Sequence, residues 1–463
     1  EGLAANGREG LPVTDEVAAE LAARLLDPLV GRQLDQIRGL VLVEVVALDE
    51  PELHGGPDHP LLEVLGVERK PVSQELDDIV IAGLVVRIAH RSEDTWGGCR
   101  PAPSLRWIAA MHEATWTITS CPHRESAELA QELRISETTA RVLLRRGHAD
   151  AATARAFLAG ADPGHDPRLL GDMDAACERI RAAIASGQRI CVHGDYDADG
   201  ICATALAVLV LRELGADVSW HLPSRFEEGY GVSGETLDRL AGDGCGLVVT
   251  VDCGITAVAE VARAKALGLD VVVTDHHRPG DELPDCPIVA TRPSDYPFPE
   301  LCGTGVVYKL GQALLGPGSE ELRQHMDLVA IATISDVVPL VDENRYLARA
   351  GLKALARTQK PGLRALMRSA GVDPAAVDAG SVGFRLAPRI NAAGRLSHPE
   401  TALQLLLTQD DTEAAQLAGR LEELNRERQA VEDRILREAV AQVEAWPESR
   451  QRRRGYVVAH EDW

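Results

Sequence analysis

Large aromatic side chains are scarce in this sequence: four Phe, six Tyr and six Trp among 463 residues. Their placement is uneven. Every Phe and Tyr, and all four Met, lie at or after Met111. Residues 1–110 keep only Trp96 and Trp107 as large rings, which makes that stretch a weak core builder. No run approaches eighteen consecutive apolar residues, which excludes a helical membrane span. The nine cysteines contain no Cys-x-x-Cys pair, so zinc ribbons and thioredoxin-like redox sites lose support. Their odd number, and positions inside apolar runs such as Cys191 and Cys245, point to buried free thiols in a reducing cytoplasm. Positive charge is also short. The 48 Lys plus Arg face 71 Asp plus Glu, a net charge of −23. That balance argues against coating nucleic acid through bulk charge but leaves room for a local basic groove.

What is present suffices for a folded protein. Apolar residues make up 45% of the chain, and the length suggests two to four domains. Residues 1–110 carry 19 acidic and 10 basic side chains, net −9, leaving −14 for the rest. This segment stays unassigned. It reads either as sequence upstream of a natural start at Met111 or as a small domain with strands at Val41-Leu42-Val43 and Ile79-Val80-Ile81. Residues 111–172 form a helical region, with two short helices over 124–160 and Ser136 as a helix N-cap. A plain packing hairpin explains this pair better than a DNA-reading helix-turn-helix.

From residue 173 strand and helix alternate. Strands are expected at Arg189–His193, Val218–Leu222, Leu247–Val251 and Val271–Thr274, separated by helices. The fold class is therefore α/β, a parallel sheet with helices on both faces, spanning residues 173–408. After residue 303 the chain becomes a mainly helical subregion. A long connecting helix follows within 409–446, read as Asp411 to Ala445 and roughly 50 Å long at about 1.5 Å per residue. Residues 447–463 open a new strand at Tyr456 and then stop, as if a further domain were truncated.

In a parallel sheet, chemistry collects beyond the carboxyl ends of the strands. Three such ends carry His193-Gly194-Asp195-Tyr196-Asp197-Ala198-Asp199-Gly200, Asp252-Cys253-Gly254 and Asp275-His276-His277. Ser335-Asp336-Val337-Val338-Pro339 lies further on. So many carboxylates and imidazoles at one edge need a counter-cation, and mixed O and N ligands suit Mn²⁺- or Mg²⁺-like ions. His193, Asp197, Asp199, Asp252, His276 and Asp336 offer six ligands, enough for two ions about 3.5–4 Å apart with Asp252 bridging. Such a pair would acidify a water for attack on phosphorus. The competing readings are weaker. The Asp195-x-Asp197-x-Asp199-Gly200 run opens like an EF-hand loop, but position twelve is Leu206 rather than Glu. Asp252 alone could be a helix cap. Gly303-Thr304-Gly305 lacks the rest of a phosphate loop and reads as the opening of a helix. Two basic groups complete the set: Arg225, and Arg389 with Arg395 bracketing Asn391. Small residues between two arginines let a phosphate backbone approach closely, whereas surface salt bridging is the plainer role.

These segments together resemble the DHH phosphoesterase superfamily. With Glu228-Gly229-Tyr230-Gly231, Asp336-Val337-Val338-Pro339 and Arg389-Ile390-Asn391-Ala392-Ala393-Gly394-Arg395 added, they resemble its RecJ-type exonucleases, over about residues 111–463. The resemblance implies a DHH catalytic domain followed by a DHHA1 domain, of which only the opening strand would be present. It implies one metal ion on His193, Asp197 and Asp252 and a second on Asp199, Asp252, His276 and Asp336. His277 would sit beside the scissile phosphate. Arg225 and Arg395 would contact DNA phosphates, with Arg389 and Asn391 supporting that loop. The implied activity is 5′→3′ hydrolysis of single-stranded DNA to mononucleotides in repair and recombination. The implied partners are a single-strand-binding protein and a helicase, with no membrane. Two rivals remain: a phosphodiesterase for short oligonucleotides or cyclic dinucleotides, and a non-catalytic DNA-binding relative. Retention of every expected ligand argues against the second.

Overall fold

Alternation of side-chain direction along the apolar strands decides which core each residue joins. The structure is a computed structural model and describes residues 40–43, 121–226, 228–451, 453 and 455–463. Ile79-Val80-Ile81 lies outside the described residues. The chain divides into two compact units. One comprises residues 117–430; the other comprises 431–463 with the strand Leu40–Val43. In the smaller unit that strand pairs antiparallel with Tyr456–Ala459.

The larger unit is built on five parallel strands: β1 (Arg189–His193), β2 (Val218–His221), β3 (Cys245–Val251), β4 (Asp270–Asp275) and β5 (Ile288–Ala290). Their spatial order is β2-β1-β3-β4-β5. Period-two side-chain direction sorts each strand between two cores. Ile190, Val192, Leu247, Val249 and Val272 join one core with helices α4 (Met173–Ala185), α5 (Ala198–Glu213) and α8 (Gly303–Leu315). Cys191, Val248, Val271 and Val273 join the other with α6 (Gly234–Gly242) and α7 (Val258–Ala266). The sheet is thus covered on both faces, as the near-continuous apolar strands require. β5 is the strand that the sequence did not announce. Three residues are too short for a periodicity signal.

Ahead of the sheet lie α1 (His123–Leu133), α2 (Glu137–Arg145) and α3 (Ala151–Ala159). Three helices thus occupy the span where two were expected. Asp150 accounts for the third, because its carboxylate accepts the N–H groups of Ala152 and Thr153 and starts a new helix. Ser136 caps α2 as expected, accepting the N–H of Thr139. The three pack on one another through Leu129, Ala140, Leu143 and Ala154.

Beyond the sheet come α9 (Met326–Ser335), α10 (Asp342–Leu355), α11 (Ala387–Leu396) and the 34-residue α12 (Asp411–Glu444). A third core forms where Ile201 and Ala205 of α5 meet Leu328 and Ile331 of α9, Ile390 and Ala393 of α11, and Ala418 and Leu421 of α12. Eight cysteines are unbonded thiols among the described residues, and no described helix is long and apolar enough to cross a membrane.

A buried ion pair sits inside this framework, away from the strand ends. Lys309 of α8 is 2% exposed, and its Nζ donates to Glu343 Oε1 at 2.6 Å and to the His165 carbonyl at 2.8 Å. Tyr296 donates its hydroxyl to the same carboxylate. Removing one partner strands a buried charge. Lys309→Met should therefore cost about 3–5 kcal/mol, read as a lower urea midpoint with an unchanged slope.

Candidate metal centre

The strand order places a topological switch between β1 and β3, because the chain leaves β1 for β2 on one side and returns to β3 on the other. Ligands collect in the crevice at such a switch, beyond the carboxyl ends of the strands. The turn after β1 carries Asp195, Asp197 and Asp199. Asp197 caps α5, its Oδ1 accepting the N–H groups of Asp199 and Gly200 at 2.9 and 3.0 Å. Asp199 lies in the first turn of α5 and faces the start of α8. Its two oxygens accept the Gly303 N–H at 2.6 Å and the Thr304 N–H at 2.8 Å. These free N–H groups at a helix N-terminus favour a carboxylate, and they lock its orientation. Gly303-Thr304-Gly305 opens α8, as the sequence suggested.

After β3, Asp252 adopts φ 61°, a left-handed conformation that costs a non-glycine residue about 1–3 kcal/mol. Its N–H is fixed by the Thr274 carbonyl at 3.0 Å. After β4, Asp275 is a hub. Its Oδ1 accepts the His276 N–H at 2.7 Å, the His277 N–H at 3.1 Å and His277 Nδ1 at 2.7 Å, and its Oδ2 accepts the Ile255 N–H at 3.0 Å. This carboxylate shapes the turn that presents both imidazoles. The letters Asp-His-His alone do not reveal that division of labour.

The side chains then converge. His276 Nε2 lies 3.1 Å from Asp252 Oδ1, 3.7 Å from Asp336 Oδ2 and 3.9 Å from Asp199 Oδ2. Three groups have ligand atoms within 4.8 Å of one another: Asp199 with His276 and Asp336, Asp252 with His276 and His277, and Asp195 with Asp197 and Asp252. His193 stands outside these groups. Its buried ring meets the His221 ring edge-on, with centroids 5.2 Å apart, and its Nδ1 lies 3.9 Å from Cys253 Sγ. Asp195, not named among the six candidate ligands, groups with Asp197 and Asp252. The signal for it was the strict i, i+2, i+4 spacing of three acids in one turn.

Electrostatics mark the same place. Burial, then the neighbouring Asp199 carboxylate, push Asp336 up to about 8. Burial and Asp197 do the same to Asp195. Asp252 is raised well above the carboxylate range by burial and by Asp199, Asp197 and Asp195. Burial also opposes a charge on His277, but the bond to Asp275 and the surrounding carboxylates outweigh it and raise that imidazole to about 9. His193 is held down at about 3 by burial. Asp252 Oδ1 and His193 Nε2 are buried without a hydrogen-bond partner. Asp252 Oδ1 has His276 Nε2 at 3.1 Å and His277 Nδ1 at 4.0 Å, neither aligned as a hydrogen bond. Oxygen and nitrogen atoms so crowded and unsatisfied fit a divalent cation.

The basic residues play different parts. Arg225 is exposed, with its guanidinium 5.5 Å from the Tyr196 ring centre. Arg395 is exposed near the end of α11. Arg389 is taken up internally, donating to Glu422 Oε2 at 2.6 Å and to the Arg385 carbonyl. Asn391 Oδ1 accepts the Ala198 N–H at 2.7 Å. Where Gly394 passes the Tyr196 carbonyl, any Cβ would collide with it. Thus α11 braces the acidic turn, and Arg389 and Asn391 serve that brace rather than an open surface.

Residues 189–333 match the model of the DHH family, N-terminal domain. A solved structure of exonuclease RecJ bound to manganese is 42% identical, with TM-score 0.56, covering 59% of this chain and 70% of that one. The chain belongs to the RecJ family. A second RecJ structure, in complex with Mn²⁺ and from Thermus thermophilus, is 36% identical with TM-score 0.62, covering 70% of this chain and 47% of that one. Among curated relatives, the single-stranded-DNA-specific exonuclease RecJ of Bacillus subtilis (strain 168) is 42% identical over 333 residues, 71% of this chain. That of Escherichia coli (strain K12) is 36% identical over 357 residues, 73% of this chain. The chain spans 42% and 61% of the lengths of those two proteins.

In this RecJ-family chain the closeness of α8 to the acidic cluster is itself testable. A Cβ at Gly303 would collide with the Asp252 carboxylate. Gly303→Ala should destabilise by about 1–3 kcal/mol, the usual cost of overpacking. Gly419→Ala, on an exposed turn of α12 with open space around it, should instead stabilise by about 0.5–1 kcal/mol. Paired urea titrations read both signs.

Proposed function

We propose that this chain hydrolyses the phosphodiester bonds of single-stranded DNA from the 5′ end, releasing mononucleotides, with two divalent cations, Mn²⁺ or Mg²⁺. The observation that carries this reading is the buried Asp252 Oδ1, without a hydrogen bond, at the meeting point of the carboxylate and imidazole groups. The names of the RecJ relatives, and the solved RecJ structures in complex with Mn²⁺ and with Mg²⁺, support the choice of substrate and ions.

Asp199, Asp252, His276 and Asp336 would hold one cation. Asp197 and Asp252 would hold the other, with His193 or Asp195 completing it. When bound, such ions neutralise the cluster and act as Lewis acids on a phosphodiester and a water. The remaining work falls to the protein. Backbone N–H groups fix Asp199, and Asp275 fixes the His277 imidazole and the backbone of the turn that carries His276, so these groups need little rearrangement to receive ions. His277 keeps Nδ1 on Asp275, which leaves Nε2 to face the scissile phosphate. As an imidazolium it would balance phosphate charge or hand a proton to the departing 3′-oxygen. Arg225 and Arg395 would grip backbone phosphates, an attraction that salt weakens. A chain of net charge −23 has little else to draw DNA towards it. A helicase and a single-strand-binding protein would supply and present the strand during repair and recombination. We also read residues 173–408 as the catalytic domain, 409–446 as its connecting helix and 447–463 as the start of a DHHA1 domain.

The assay is release of labelled mononucleotides from 5′-phosphorylated single strands, after EDTA treatment and re-addition of Mn²⁺. Activity should appear only with the ion and should be at least about a hundredfold weaker on blunt duplex. Asp252→Ala should lose at least about a thousandfold in kcat, as expected when a group at the reacting centre is removed. Equal cleavage of duplex and single strand, or retained activity in Asp252→Ala, would overturn the reading. Cleavage confined to dinucleotides would replace it with the short-oligonucleotide phosphodiesterase.

A further inference from the structure

Between β2 and α6 the chain makes a turn over 222–233 that borders the acidic cluster and carries Arg225 and Tyr230. Two features set its course. Gly229 and Gly231 have φ 81° and 83°, left-handed values that suit glycine, and they flank Tyr230 on both sides. Tyr230 in turn places its hydroxyl 3.4 Å from His277 Nδ1. Tyr196, on the acidic turn, meets Tyr230 edge-on with ring centroids 6.5 Å apart and carries the Arg225 guanidinium over its face.

Leu222 and Val232 pack against cores at the two ends of this turn, but between them Phe226 and Tyr230 are 66% and 49% exposed. Its anchor is polar and centres on one carboxylate. Glu228 Oε2 accepts the Thr236 hydroxyl at 2.6 Å and His221 Nε2 at 3.0 Å, and Oε1 accepts the Ser224 N–H at 3.3 Å. The Glu228 and Gly229 N–H groups close back on the Ser224 carbonyl at 2.9 and 3.1 Å. One side chain therefore ties the end of β2, the start of α6 and the turn between them.

The tautomer of His221 follows from its partners. Arg239 Nη2 can only donate, and it lies 3.1 Å from His221 Nδ1. Nδ1 is then the acceptor and Nε2 carries the proton. His221 therefore donates to Glu228, and a relay runs from Arg239 through His221 to the carboxylate. The same imidazole packs edge-on against His193, behind the acidic turn. Burial opposes a charge on Glu228, but its bonds to Thr236, His221 and Ser224 outweigh this and lower its pKa, so the anion persists.

We infer that Glu228 is a positioning residue: it holds the 222–233 turn, and with it Arg225 and Tyr230, against the edge of the carboxylate–imidazole cluster where a nucleic-acid phosphate would enter. The inference rests on the single-strand reading above, but it concerns binding rather than bond cleavage. Glu228 touches none of the grouped candidate ligands. Its loss should therefore weaken capture of the strand and leave the chemical step largely intact.

The test uses the whole chain. Binding of a fluorescein-labelled, 5′-phosphorylated single strand, followed by anisotropy in EDTA, gives a readout independent of turnover. Glu228→Ala should bind about tenfold more weakly and raise KM by a similar factor, with kcat within about threefold of wild type. Glu228→Gln keeps an acceptor for His221 and should recover part of the loss. Arg225→Ala in the Glu228→Ala background should add little to either single change, because both act through one turn. Additive effects, or a Glu228→Ala chain that binds like wild type, would overturn the inference while leaving the substrate reading intact. A loss confined to kcat would overturn it likewise. A wild-type chain that neither binds nor cleaves single strands would instead overturn the substrate reading, and this inference with it.

Discussion

Mutual repulsion among buried carboxylates is the constraint on which the structure around this site depends. Asp195, Asp197, Asp199, Asp252 and Asp336 converge at one edge of a sheet, with Asp195, Asp199 and Asp252 buried and Asp197 and Asp336 partly so. Left to themselves they would spread apart or take up protons, and the upward shifts of Asp195, Asp252 and Asp336 express that tendency. What keeps them together is a framework of N–H donors. The start of α8 holds Asp199, and the start of α5 holds Asp197. Asp275, by contrast, has four donors of its own and is driven below the usual carboxylate range despite its burial. Donor count therefore separates the acid that shapes the turn from those left to receive a cation.

The layers around the site follow from the same need. Fully covered parallel strands give a rigid edge, and the switch between β1 and β3 opens it at one place. The helical subregion then closes over the acidic turn through Asn391 and the tight passage at Gly394. Arg389 is an example of how a basic residue near a site can serve its support. Its guanidinium bonds Glu422 through Nε and the Arg385 carbonyl through Nη1.

Much of this was legible in the sequence, because strand-end acids in a strand–helix alternation have few other uses. Four strands, the opening of α8 at Gly303 and the long helix from Asp411 all fall within a few residues of where periodicity and caps put them. What escaped was set by tertiary contact. β5 exists because it can pair with β4, not because three residues announce a strand. Asp195 joins the cluster because its turn brings it within reach of Asp197 and Asp252. Glu228 owes its part to partners at the end of β2 and the start of α6, which the segment Glu228-Gly229-Tyr230-Gly231 does not reveal.

The bonds that lock the acidic turn also say when it can form. Asp199 and Gly303 are 104 residues apart in the chain, and Ala198 and Asn391 are 193 apart. Closing such loops costs conformational entropy that only the completed core repays, although each doubling of length adds only about 0.6 kcal/mol. Contacts of this separation slow folding, and during synthesis none of them exists until α8, and later α11, has left the ribosome. The cap bonds of Asp197 to the Asp199 and Gly200 N–H groups need no such distant partner. The shape of the turn is thus set locally, while the bonds that lock Asp199 and Ala198 depend on the completed fold.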